Sequence, residues 1–156
     1  MSLITRLRDL FHHSAAAHQP PADDETLTVA ILLTLVVHAD GRVVEAEEDG
    51  LRTLLTARCG LTPEQASNLI GRVREAGDAV NPATTMVDRI VHDVPPEERP
   101  RLLSMAYRIA AADGSIHEFE DDLIWRTGRL LGFSDSDLAI IKAEALEALV
   151  TFEVRG

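Results

Sequence analysis

His38-Ala39-Asp40-Gly41-Arg42-Val43-Val44-Glu45-Ala46-Glu47 returns, altered, as Ala111-Ala112-Asp113-Gly114-Ser115-Ile116-His117-Glu118-Phe119-Glu120. The two Asp residues (113 − 40) and the two closing Glu residues (120 − 47) share one offset, 73. The common skeleton is Ala-Asp-Gly-x-(Val/Ile)-x-Glu-x-Glu, and each copy lies between two apolar runs of helical periodicity. Downstream, Leu51 falls opposite Ile124, and after a slip of one residue Gly60-Leu61-Thr62 falls opposite Gly132-Phe133-Ser134. A unit repeated at fixed spacing marks a supersecondary element used twice, here helix-loop-helix.

The skeleton has a structural rationale. Gly after Asp lets the backbone leave a helix through positive φ, which a Cβ resists. Val43 and Ile116 are β-branched in otherwise polar loops, which suits a short extended bridge between them. Glu47 and Glu120 fall in the first turn of the next helix, where the dipole favours carboxylates and a side chain can reach back as a cap.

A second reading is chemical. With each Gly as the sixth residue of a calcium loop, Asp40 and Asp113 take position 5, and Glu47 and Glu120 take the bidentate position 12. Positions 1 and 3 are then Val36 and His38 in one copy, Ile109 and Ala111 in the other, so these are not EF-hands. A hard cation needs six to eight oxygens. Two half-loops face to face pool Asp40, Glu47, Asp113 and Glu120 with carbonyls and water.

The doubled Ala-Asp-Gly-x-(Val/Ile)-x-x-x-Glu loop in a helical chain resembles the TerB-like tellurite-resistance family, whose domain also occurs in a membrane-anchored DnaJ-like co-chaperone. The resemblance covers about residues 26 to 145. It implies an all-α domain with an acidic, metal-binding centre, acting in stress-response assemblies at the inner face of the membrane. Asp40, Glu47, Asp113 and Glu120 occupy the acidic positions of that motif. His38 departs from the small apolar residue usual at its place.

Composition narrows the rest. A chain of 156 residues is expected to form one domain with a real core. Only 4% of its residues are aromatic, so that core is expected to be Leu, Ile, Val and Ala. A net charge of −11 argues against nucleic acid, whose phosphates need clustered Lys and Arg. Basic protein surfaces or cations are better complements, although acidic surfaces also serve plain solubility. The single cysteine, Cys59, excludes an internal disulfide and reads as a small buried hydrophobe. With no apolar run of membrane-spanning length and no signal-peptide pattern, the expected place is the cytoplasm, peripheral contact with the inner membrane face being the alternative.

Residues 1–13 carry Leu3, Ile4, Leu7, Leu10 and Phe11 at helical spacing, with Arg6 and Arg8 opposite. Residues 14–24 read as a linker, 25–150 as the domain, and 151–156 as a tail. Thirteen residues are too few for a stable isolated helix. Docking on protein, whether the chain's own core or a second copy in a homodimer, ranks above a peripheral membrane contact; fraying is the third reading. Because the linker sets it apart, the segment is expected to be dispensable for folding.

Within the domain, Thr26 to Ala39 is apolar nearly all round, the pattern of a central helix. Thr62-Pro63-Glu64-Gln65 is a capping box with Pro at the first helical position. Further helices are expected at Glu45–Arg58, from Asn81-Pro82 to about His92, from Pro95-Pro96 through Ile109 as counterpart of the central helix, at Asp121–Leu131, and after Ser134-Asp135. His38 reads as a capping or partly exposed histidine. The fold class is all-α, a bundle of about seven core helices from two related halves, plus a short amphipathic N-terminal helix.

There is no phosphate loop, no paired Cys, no HExxH and no nucleophile constellation. Acidic runs at helix starts are usually solvated, dipole-complementing faces. The expected function is a non-enzymatic TerB-like module holding a divalent ion (Ca2+, Mg2+ or Zn2+) at paired acidic loops, within a tellurite-resistance or stress-response assembly that supplies its protein partner. Two readings compete: a metal-free scaffold that binds a partner protein through a helical groove, and a hydrolase using the acidic cluster.

Overall fold

The structure, a computed structural model, describes residues 4–5, 7–9, 24–39, 45–78, 86–112 and 114–155, without the side chains of 24, 45–47, 76–78, 86 and 148–155. The main helices are α1 (Asp24–Ala39), α2 (Glu45–Ala57), α3 (Pro63–Asp78), α4 (Met86–Asp93), α5 (Arg99–Ala110), α6 (Glu118–Leu130) and α7 (Asp135–Arg155). A 3-10 turn, Pro96–Glu98, leads into α5, and no strand occurs among the described residues. The protein is an all-α bundle.

α1 is the axis. Leu27 and every residue from Val29 to Val37 are buried, and the helix packs against α2, α3, α4, α5 and α6. A helix enclosed on all sides has no use for a polar face, which is what its uninterrupted apolar run encodes. Thr34, the exception, donates its hydroxyl to the Ala30 carbonyl at 2.7 Å, so its own donor is paired. The expected counterpart, α5, is not enclosed. It buries Leu102, Leu103, Ala106, Tyr107 and Ala110 while Arg101 and Arg108 face solvent, because its charged positions allow only one buried stripe.

Local signals set the helix ends. Thr62 and Gln65 form the reciprocal capping box read from the sequence: Gln65 N–H donates to Thr62 Oγ1 at 3.1 Å, and Thr62 N–H to Gln65 Oε1 at 2.9 Å. Ser134 and Asp137 make the same exchange at the start of α7, at 3.1 and 3.3 Å. Ser134 with Asp137 thus caps α7. The paired glycines Gly60 and Gly132 both turn the chain through positive φ, 74° and 100°. Gly114 of the second phrase has φ 101°, as its place after the Asp requires; Gly41 and Val43 lie outside the described residues. Ile116 is partly buried against the core.

Arg99 holds three helix ends together. Its guanidinium donates to the carbonyls of Val94, Val91 and Leu131 at 2.9, 3.1 and 3.1 Å, satisfying acceptors that the ends of α4 and α6 leave open.

At the N-terminus the first-ranked reading, docking on protein, is the one observed, on the chain's own core. Residues 4–5 and 7–9 are helical, and Ile4 and Leu7 are 6% and 5% exposed within the main core. Arg8 donates to Thr28 Oγ1 at 3.2 Å, which fixes the segment on α1. The segment therefore docks on the chain's own domain, and its expected dispensability does not follow. At the other end α7 runs to Arg155, through the residues read as a tail. Residues 14–23 of the linker lie outside the described residues.

Candidate functional site

Of the four acidic positions, Asp40 and Asp113 lie outside the described residues, as does the side chain of Glu47, which stands in the first turn of α2. Glu120 is fully described and only 4% exposed. Its place, three residues after His117, the N-cap of α6, is that of a capping glutamate. Its oxygens do not serve that role. Oε1 faces Arg58 Nε at 3.6 Å, and Oε2 is buried without a partner among the described residues.

The end of α2 and the start of α6 thus make a small buried polar site. Cys59 completes it: burial first, and the negative charge of Glu120 second, push its thiol up to about 12. A thiol so held is a neutral packing group rather than a nucleophile. A carboxylate with one oxygen on a guanidinium and the other unpartnered has a lone pair aimed at nothing, which is costly when buried. A cation at Oε2 would satisfy it, with Arg58 at Oε1 behind the carboxylate. Among the described residues no group of three or more His, Cys, Asp and Glu side chains is placed to hold a metal ion.

His38, at the end of α1, is partly exposed, as the sequence suggested. Its Nδ1 lies 2.9 Å from the Thr34 carbonyl oxygen, so that nitrogen carries the proton and donates. In the neutral ring Nε2 then offers a bare lone pair, and that atom is buried without a partner among the described residues. An imidazole fixed through Nδ1–H on a carbonyl is arranged as metal-ligating histidines are. The signal in the sequence was its position, two residues before Asp40.

Along the outer side of α6, Glu118, Phe119, Asp121, Asp122 and Trp125 line an open pocket of about 570 Å³. Asp121 Oδ1 meets Lys142 Nζ at 3.0 Å, an ion contact without hydrogen-bond alignment, and Asp122 pairs with Arg126 at 3.1 Å. The Phe119 ring lies over Gly50, where an added Cβ would come within 3.1 Å of it. Tyr107 is fully buried with an unpartnered hydroxyl, which burial and, second, the Asp121 charge push up to about 12.

The family model described as Tellurite resistance protein TerB matches residues 26–143, from α1 into α7 and across both acidic phrases. The chain belongs to the TerB family. No curated protein and no solved structure matches it. The core-docked residues Ile4 and Leu7 precede the span that the TerB model matches, and the last turns of α7 follow it. No helix among the described residues is long and apolar enough to cross a membrane.

Proposed function

We propose that this TerB-family chain is a non-catalytic module that takes up a divalent metal ion through Glu120, with Asp40, Glu47 and Asp113 as further ligands, in a tellurite-resistance or stress-response assembly. One observation carries the reading: Glu120 Oε2 is buried, lies in the acidic phrase and has no partner among the described residues. Desolvating a carboxylate oxygen and leaving it unpaired is unfavourable, and a cation repairs the deficit.

The test is thermal unfolding with Ca2+, Mg2+, Mn2+ or Zn2+ against NaCl at matched ionic strength, since any divalent ion screens a chain of net charge −11. A metal at a hundred times its Kd adds about 2.7 kcal/mol. Glu47→Gln/Glu120→Gln is expected to lose the metal-specific part. Glu64→Gln/Glu144→Gln removes the same charge at two exposed positions and is expected to keep it. Equal responses from both pairs would make the two loop glutamates structural and replace this reading with a metal-free scaffold.

A further inference from the structure

We propose that Cys59 is a second ligand at the Glu120 site, which makes that site one for a thiophilic divalent ion of the zinc class rather than for Ca2+ or Mg2+. The inference rests on Glu120 as a ligand and adds the chemistry of the ion. Glu120 and Cys59 are 4% and 1% exposed, and Arg58, next to Cys59 in the chain, has its Nε 3.6 Å from Glu120 Oε1. The end of α2 thus brings a sulfur to the carboxylate whose other oxygen, Oε2, is buried and has no partner among the described residues. The two groups are close enough for the Glu120 charge to act on the thiol.

The internal repeat shows what packing alone requires here. Arg58-Cys59-Gly60 falls opposite Leu130-Leu131-Gly132, and both glycines turn the chain through positive φ. Leu131 is 2% exposed, so an apolar side chain fills the equivalent place in the second half. In the first half a guanidinium and a thiol stand there instead, at the point where Glu120 arrives. Packing calls for neither, whereas a metal site uses both: Cys59 to bind the ion, Arg58 to hold the carboxylate.

In the metal-free fold the thiol is neutral and leaves Oε2 unpaired. Binding breaks the S–H bond and forms a sulfur–metal bond; the proton passes to solvent and no electron is transferred. Thiolate is a soft ligand that Zn2+ and its heavier congener Cd2+ take, whereas Ca2+ and Mg2+ call for oxygen. Groups so enclosed are reached by an ion, not by a side chain of a partner protein.

Cys59 is the only cysteine, so a thiolate-to-metal charge-transfer band reports on this site alone. The probe is Cd2+, equilibrated with the folded protein and, separately, with the chain in urea, and read by ultraviolet absorption. The expected band saturates at one ion per chain, at lower Cd2+ than in urea, and is absent in Cys59→Ala. Zn2+ should compete it away, and Ca2+ or Mg2+ should not. Arg58→Gln/Glu120→Gln takes away the carboxylate without stranding a buried charge, and should raise the Kd about tenfold or more. Glu64→Gln, exposed on α3, should leave it unchanged. Cooperative melting in EDTA shows that each variant is folded. A folded wild type without the band, a band as tight in urea as in the folded chain, or a double variant that binds like wild type overturns the assignment. A Glu120-dependent stabilisation by Ca2+ or Mg2+ that Cys59→Ala retains also overturns it, yet leaves the metal reading of the acidic phrase intact.

Discussion

Arg58 Nε lies 3.6 Å from Glu120 Oε1, and the two side chains are 10% and 5% exposed. A pair so enclosed behaves unlike a surface ion pair. Removing one member strands the other charge, and the cost for buried pairs is several kcal/mol. Arg58→Gln is therefore expected to lower stability by about 3 kcal/mol in metal-free urea titrations. The same variant leaves both oxygens of Glu120 without a cation, so a divalent metal should stabilise it more than wild type. An equal metal shift in the two proteins argues that Glu120 is no ligand.

Why this pair escaped the sequence is instructive. The Thr62–Gln65 box could be read because both partners sit three residues apart and their geometry is helical. The central helix could be read because no residue from Val29 to Val37 needs water. Arg58 and Glu120 belong to different helices, and only the packing of α2 against α6 brings them together. From sequence alone Glu120 had the spacing of a cap, and spacing does not say which way a side chain turns. The N-terminal segment shows the same limit: its apolar spacing was visible, but a Pro-containing linker does not tell whether Ile4 and Leu7 return to the core.

That segment gives the second prediction. Leu7 is 5% exposed in the main cluster, so Leu7→Ala removes buried methyl groups and leaves a cavity. A loss of about 2 kcal/mol is expected, at the low end for a core leucine because the segment can shift to fill space. Deleting residues 1–22 should cost at least as much in urea or thermal unfolding. A change within about 0.5 kcal/mol, the value for surface positions, would return the segment to the status of a detached arm.

Cys59 sets a pH dependence. Its thiol is pushed up to about 12 in the fold from an ordinary value of 9.0, by burial first and Glu120 second. The folded state thus favours the protonated form. This contribution to stability is fully present below pH 9 and is lost as pH rises from 9 towards 12, because the unfolded chain ionises first. Wild type should lose stability over that window more than Cys59→Ala does, measured as urea midpoints. At pH 8 the folded thiol should react with a disulfide reagent only as fast as the chain opens. Rapid reaction without unfolding would place the sulfur at the surface.

The last prediction concerns the contact of α6 with α7. A Cβ built on Gly128 would overlap Leu138 Cδ2 and come within 3.1 Å of two further Leu138 carbons. Leu138 is fully buried, so it has nowhere to retreat. Two effects oppose each other in Gly128→Ala. Alanine raises helix propensity by about 1 kcal/mol. Overpacking costs about 1–3 kcal/mol when a methyl is forced into a filled site. The clash should win, and Gly128→Ala should destabilise the protein. In a Leu138→Ala background the opposing side chain is gone, and the same substitution should now stabilise by about 1 kcal/mol, through propensity and partial filling of the cavity. The sign reversal is what a double-mutant cycle measures, and it separates close packing from any general intolerance of change at residue 128. If Gly128→Ala is unfavourable by the same amount in both backgrounds, the cost does not come from Leu138, and the close approach of the two helices at this point is wrong.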